Sequence, residues 1–279
     1  MNFRTLLAAA LAAIALAGCA TPTSTAPALA ASAPPNDVKT VLWVGNSFFY
    51  YNNSMHGHVG ALLGSAGRTG AQGYRGTSAT ISGSGLNWHD VASYLKPGGG
   101  MASYSFVGDN EVRFNSFDRP FDVVIMMDCS QCPIHPKLQP LFYEYVKKDS
   151  EIVRARGAEP VLFMSWAYAD KPEMTEQLAA EYIKAGKTNN ALVVPAGYAF
   201  SNSLKKRPDI VLNVSDKRHP TLAGTYLAAC TVMASLYKIN PVGNKYAAGL
   251  PADVASHLQA VAWETAQAFH AKEGRGSLP

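Results

Sequence analysis

The sequence predicts an α/β fold in which a parallel sheet carries helices on both faces. Short runs rich in β-branched and aliphatic residues recur at 39–44, 122–127, 160–165 and 191–195. Each reads as a strand buried on both faces rather than half exposed. Segments with apolar residues at helical spacing separate them. Strands that alternate with helices pair in parallel, with the helices packed on both sides.

In chain order, residues 39–44 form the first strand, which ends at Gly45. Residues 56–66 are helical, with Gly67 as C-cap. Residues 74–81 form a weaker strand, ended by Ser82-Gly83-Ser84-Gly85, and residues 88–95 a short helix. Residues 96–121, with Gly98-Gly99-Gly100, are irregular and have room for a small hairpin across 104–114. Strand 122–127 leads to an amphipathic helix at 140–156, closed by Gly157. Strand 160–165 is followed by helix 173–185, stopped by Gly186. Strand 191–195 runs into helix 196–205, and helices 220–237 and 253–271 complete the chain. Pro220 suits the first turn of its helix, where its missing N–H is an orphan donor anyway. No internal repeat is present.

Residues 1–18 have the pattern of a signal peptide. Arg4 precedes an apolar run at 6–16 that is too short to span a membrane. Leu16-Ala17-Gly18-Cys19 has the form of a bacterial lipobox, in which Cys19 is lipidated and becomes the mature N-terminus. Cleavage after 31–33 is the alternative. Ala20 stands where a retention-type Asp might be, so the expected location is the periplasmic side of the outer membrane in a Gram-negative host. Residues 19–37, mostly Ala, Thr, Ser and Pro, read as a flexible tether. Residues 38–279 then form one domain with a sizeable core. The net charge is +4, and Lys205-Lys206-Arg207 reads as a solvated face, so no nucleic-acid partner is expected.

Cys129 and Cys132 form a Cys-x-x-Cys followed by Pro133 and Pro136, unlike a redox motif that opens a helix. No paired spacing supplies further zinc ligands, so the pair reads as a local disulfide or two inert thiols, and no metal or cofactor is expected. Cys230 sits alone on a helix.

In a parallel sheet, ligands bind beyond the carboxyl ends of the strands. The residues there are Ser47, Gly83, 128–131 and Trp166. A serine nucleophile needs a base, a group that orients the base, and donors aimed at the oxyanion. Ser47 follows the first strand directly, although serines in such places often only cap or turn. In Asp216-Lys217-Arg218-His219-Pro220, the proline places His219 at the start of a helix. Asp216 can bend back to its Nδ1, leaving the other ring nitrogen facing the strand ends. The alternative is that Asp216 caps the helix and His219 is merely exposed.

Together these stretches resemble the SGNH/GDSL hydrolase superfamily, in a bacterial branch whose nucleophile motif is Gly-Asn-Ser-Phe. The resemblance rests on Gly45-Asn46-Ser47-Phe48 with Tyr50-Tyr51-Asn52-Asn53, on Gly83-Ser84-Gly85-Leu86 with Trp88-His89, and on Asp216, His219, Pro220, Gly224 and Tyr226 in the last motif. It implies a flavodoxin-like three-layer α/β/α sandwich with a five-stranded parallel sheet. It also implies Ser47 as nucleophile, His219 as general base and Asp216 as the residue orienting it. The oxyanion hole takes the backbone N–H groups of Ser47 and Gly83, or of Gly85 if the turn is shifted.

One block departs from the family. Where the superfamily offers Gly-x-Asn-Asp, with the Asn as oxyanion donor, this chain has 127–132 and no Asn. The amide of Gln131 or the hydroxyl of Ser130 is the candidate substitute; the alternative is that neither donates and the hole has only two backbone donors. His89 and His135 lie near the same edge, as binders of substrate or water or as partly exposed structural residues, Asn46 reads as holding the turn, and Trp88, Trp166 and Tyr168 offer an apolar or sugar-stacking wall or simple packing. The expected activity is hydrolysis of a carboxylic ester through an acyl-Ser47 intermediate. The expected substrate is a small-molecule or carbohydrate ester, such as an O-acetyl group on carbohydrate, or an acyl lipid. Acyl transfer by the same triad, or non-catalytic binding of glycan or lipid by an envelope lipoprotein, are the alternatives.

Overall fold

Five strands pair in parallel in the order β2-β1-β5-β6-β7: β1 (Thr40–Gly45), β2 (Arg75–Thr80), β5 (Val123–Met126), β6 (Glu159–Phe163) and β7 (Leu192–Val194). The computed structural model describes residues 37–69, 73–97, 104–109, 111–114 and 121–273. These fall within one compact unit that begins at Ala31. The signal peptide, Cys19 and nearly all of the tether lie outside the described residues, as do Gly98, Gly99 and Gly100. The hairpin expected inside 96–121 is present as antiparallel β3 (Tyr104–Gly108) and β4 (Glu111–Phe114).

Each central strand feeds two cores, because successive side chains leave opposite faces of a strand. Val41, Trp43, Val123, Ile125, Val161, Phe163 and Val194 enter one cluster. Leu42, Val44, Val124, Met126, Leu162 and Val193 enter the other. Helices α2 (Met55–Ser65), α6 (Ala196–Lys206), α7 (Leu222–Tyr237) and most of α8 (Ala252–Lys272) cover the first face. Helices α3 (Val91–Tyr94), α4 (Gln139–Ala155) and α5 (Met174–Thr188) cover the second. The result is the expected α/β/α sandwich. Trp43, Phe163, Trp166 and Tyr182 are fully buried, and burying a large apolar side chain contributes about 1.5–3 kcal/mol. Among the described residues, no helix is long and apolar enough to cross a membrane.

Three local expectations are corrected. Residues 88–95 are not one helix: a 3₁₀ turn at Leu86–Trp88 precedes the four-residue α3. Gly186 does not stop α5, which runs on to Thr188. A Cβ at Gly186 would lie 2.5 Å from Val193 Cγ2 and 3.1 Å from the Ala191 carbonyl oxygen, so the glycine serves close packing of α5 on β7. Pro220 is outside α7. Thr221 is the N-cap, its hydroxyl accepting from Gly224 N at 3.2 Å, while Pro220 forms a bridge with Asn213. A side-chain acceptor at N-cap satisfies an orphan helix donor, which fixed φ alone does not.

Candidate active site

Ser47 stands where β1 stops. Gly45 is the last residue of the strand, and a Cβ there would lie 2.8 Å from the Phe49 ring, so the close approach of that ring requires glycine. Buried Asn46 then N-caps α1 (Ser47–Tyr50), its Oδ1 accepting from Phe48 N at 3.2 Å. Its Nδ2 donates to the carbonyls of Ser84 at 3.0 Å and Asp128 at 3.2 Å. One amide thus ties together the loops after β1, β2 and β5, as expected of a residue that holds the turn. Ser47 is the first residue of α1, so its N–H has no intrahelical acceptor.

His219 reaches Ser47 from the other end of the chain. Its Nε2 lies 2.8 Å from Ser47 Oγ, and its Nδ1 lies 2.5 Å from Asp216 Oδ2. The two Asp216 oxygens do different work. Oδ1 accepts from the backbone N–H groups of Arg218 at 2.8 Å and His219 at 2.9 Å, folding the loop into an Asx turn. Oδ2 is left for the ring. Burial pushes the Asp216 carboxyl up, but the His219 ring and the two N–H donors outweigh it and hold the group at about 2. An ionised Asp216 accepts the Nδ1–H, so Nε2 carries the lone pair and accepts the Ser47 hydroxyl proton.

The loop is fixed from several sides. Trp166 Nε1 donates to the Arg218 carbonyl at 2.9 Å, and Asn213 Nδ2 to the same oxygen at 3.2 Å. Asn52 Nδ2 donates to the Pro220 carbonyl at 3.0 Å and to Thr225 Oγ1 at 2.8 Å. Phe48 meets the His219 ring edge to face at 5.5 Å, and Tyr51 stacks on it at 4.3 Å and 11°.

The two glycines of the second block differ in purpose. Gly83 has φ +72°, is exposed, and its N–H donates to nothing among the described residues. Gly85 is buried, and a Cβ there would lie 2.6 Å from Asp128 Oδ1. That oxygen accepts from Leu86 N at 3.0 Å and Cys129 N at 2.7 Å. Asp128 therefore links the second and third blocks, and desolvation raises its carboxyl to about 6 against those two N–H donors.

In the third block, Ser130 Oγ is engaged with Tyr168 OH at 2.7 Å, whereas Gln131 is exposed and its amide is unbonded among the described residues. Cys129 and Cys132 are joined by a disulfide across Ser130 and Gln131. Asp128, Cys129 and Cys132 bring their ligand atoms within 4.8 Å of one another, but disulfide sulfurs are not thiolate ligands. Burial raises the free thiol of Cys230.

The remaining aromatic and histidine expectations divide. Trp166 is fully buried, sandwiched between Phe48 at 4.6 Å and Phe200 at 4.2 Å, so it packs the site from beneath and offers substrate no face. Tyr168 is buried too, with the Arg218 guanidinium 4.8 Å over its ring. Trp88 is 59% exposed. His89 is buried, its Nε2 near Ser84 Oγ at 3.0 Å and the Gly45 carbonyl at 3.1 Å, and so braces the second-block turn. His135 accepts from Lys137 N at 3.2 Å and organises its own turn. A cleft of about 220 Å³ opens between the loop after β6 and helices α5 and α6, lined by Tyr168, Pro172, Thr175, Phe200, Leu204 and Lys205. The sequence offers Tyr51 and Asn52 only as part of the resemblance motif and Trp166 only as a wall or packing residue, so their contacts with the His219 loop emerge from the structure. The adjacent Asn52-Asn53 pair, suited to left-handed backbone, was the available signal for the first two.

No protein-family model matches the chain, and no curated protein matches it. Solved structures do. A DUF4886 family protein from Bacteroides uniformis superposes with TM-score 0.54 at 20% identity, covering 82% of this chain and 95% of that one. A candidate GDSL-like lipase from Parabacteroides merdae gives 0.51 at 14% identity, covering 71% and 94%. A candidate SGNH hydrolase from Slackia heliotrinireducens gives 0.50 at 21% identity, covering 70% and 97%. The chain has the α/β fold of the SGNH hydrolases.

Proposed function

We propose that the protein is a serine ester hydrolase with Ser47 as nucleophile, His219 as general base and Asp216 orienting the imidazole. The observation that carries this reading is the Ser47–His219–Asp216 relay, with 2.8 and 2.5 Å between successive heavy atoms. Ser47 Oγ attacks the ester carbonyl as its proton passes to His219 Nε2. The tetrahedral oxyanion is met by the N–H groups of Ser47 and Gly83, with the Gln131 amide as third donor. The intermediate collapses as the carbonyl–alkoxy bond breaks, and His219 returns the proton to the departing alcohol. Water, deprotonated by His219, then cleaves the acyl-Ser47 ester to acid and free serine. An alcohol in place of that water makes the same cycle an acyl transfer.

The exposed Trp88 ring, in the same loop as Gly83, suits the face of a sugar, so an O-acetylated carbohydrate is the first substrate class to assay. A fluorophosphonate probe and a short-chain aryl ester test the chemistry. Wild type is expected to label and turn over, and Ser47→Ala to do neither, with turnover reduced at least about 10⁴-fold. Labelling that survives in Ser47→Ala, or a wild type inert in both assays, overturns the reading. The lipobox pattern extends the proposal to an exported chain anchored through lipidated Cys19. Metabolic incorporation of fatty acid that persists in Cys19→Ala would exclude that anchor.

A further inference from the structure

The Tyr51 ring lies almost parallel to the His219 imidazole, with centroids 4.3 Å apart and 11° between planes. Its own N–H donates to the Ser47 carbonyl at 3.1 Å, so one residue is bonded to the nucleophile's backbone and stacked on the base. Its phenolic hydroxyl has no hydrogen-bond partner among the described residues, so the ring face, not the hydroxyl, makes the contact. What holds the ring there is unusual backbone. Asn52, Asn53 and Ser54 follow with φ of 54°, 64° and 67°, three consecutive non-glycine residues in the left-handed region. Such conformations cost energy and persist where the surroundings over-determine them. Here the Asn52 amide is tied to the Pro220 carbonyl and Thr225 Oγ1, and the Asn52 carbonyl to His58 Nε2 at 2.7 Å. The turn that carries Tyr51 is thus pinned to the residue following His219.

We propose that Tyr51 is a positioning residue for His219, resting on the esterase reading above: its π face fixes the plane of the imidazole and stabilises the ring when it carries the Ser47 proton. An aromatic face presents negative charge density, and a cation above it is stabilised, more strongly as water is excluded. In the reaction cycle the imidazolium forms as His219 takes up a proton and is lost as the tetrahedral intermediate collapses. The contact therefore acts on turnover and leaves substrate binding unchanged.

The test compares Tyr51→Phe, Tyr51→Leu and pentafluorophenylalanine installed at position 51, using aryl-ester kinetics and the rate of fluorophosphonate labelling. Tyr51→Phe is expected to stay within about 2-fold of wild type. Tyr51→Leu is expected to lose about 3- to 30-fold in kcat and in labelling rate, with KM changed less than 2-fold. The fluorinated ring keeps the shape and reverses the sign of the face, so it is expected to fall with Tyr51→Leu. It also decides the matter if the leucine variant fails to fold. The inference is overturned if the fluorinated ring matches Phe, if Tyr51→Phe falls as far as Tyr51→Leu, or if the loss resides in KM. Those outcomes leave an active, Ser47-dependent wild type and so spare the esterase reading. A wild type that neither labels nor turns over overturns both.

Discussion

Asp216 shows how much one side chain can determine when both of its oxygens are committed. Oδ1 builds the loop by accepting two backbone N–H groups, and Oδ2 sets the tautomer of His219. Asp216→Asn separates these roles. The amide oxygen still accepts both N–H groups, but an amide NH₂ facing Nδ1 forces that nitrogen to accept, so Nε2 carries the hydrogen and cannot take the serine proton. The variant is expected to keep its melting temperature within a few degrees and lose about 10⁴-fold in kcat, read by circular dichroism and aryl-ester kinetics. A variant with near-normal turnover would show that Oδ2 does not matter to the reaction. The sign of the pH dependence follows from the depressed carboxyl. Asp216 supports the fold above its ordinary value near 4, and that support is lost as pH falls toward about 2. An acid limb of activity between pH 5 and 7 therefore does not arise from Asp216.

At the scale of the element, close approach governs where glycines are needed. Gly186 lies within α5 and faces Val193 of β7, so a methyl group there collides with a β-branched side chain on a buried strand. Overpacking of this kind costs about 1–3 kcal/mol, and the better helix propensity of alanine offsets about 0.5–1 kcal/mol. Gly186→Ala is expected to lower stability by about 1 kcal/mol, a fall of about 2–4 °C in Tm for a domain of this size. A rise in Tm would mean that the glycine is simply a weak helix former with room to spare. The same logic separates Gly83 from Gly85. The first occupies a left-handed turn with open space around it, and the second makes way for a carboxylate. A string of small residues in one motif therefore hides two physical requirements, which spacing alone does not distinguish.

For the whole molecule, buried carboxyl groups set the pH range of stability. Desolvation raises Asp128 to about 6 and Asp149 to about 7, the latter pulled down by Lys148 and pushed up by Asp90 and Asp128. Both values exceed those of the unfolded chain, so unfolding releases protons and stability falls as pH rises through this window. For Asp128 the fall runs from about pH 4 to 6 and amounts to at most about 3 kcal/mol, at about 1.36 kcal/mol per pH unit. Asp128→Asn keeps an oxygen for Leu86 N and Cys129 N and removes the charge. Urea midpoints at pH 4 and 7.5 are expected to lie closer together in the variant than in wild type. Equal spacing in the two proteins would exclude Asp128 as a source of the slope.

The sequence by itself determined the alternation of buried strands and helices, because short continuous apolar runs and period-3.6 patterns are local and survive without tertiary information. It also determined which chemical groups stand past the strand ends, and in what order, since each motif is contiguous. Only the tertiary structure decided how those groups meet. Ser47 and His219 are separated by 172 positions, and their 2.8 Å contact depends on how the loop before α7 is clamped by Trp166, Asn213 and Asn52. Packing likewise buried Trp166 and Tyr168, which sequence position alone left open between substrate wall and simple packing, and engaged Ser130 while leaving Gln131 exposed. It carried α5 past Gly186 and laid Tyr51 against the imidazole. Motifs record which residues are available, whereas burial and contact between distant segments are properties of the packed chain, fixed by the volumes and hydrogen bonds of neighbours that no local window contains.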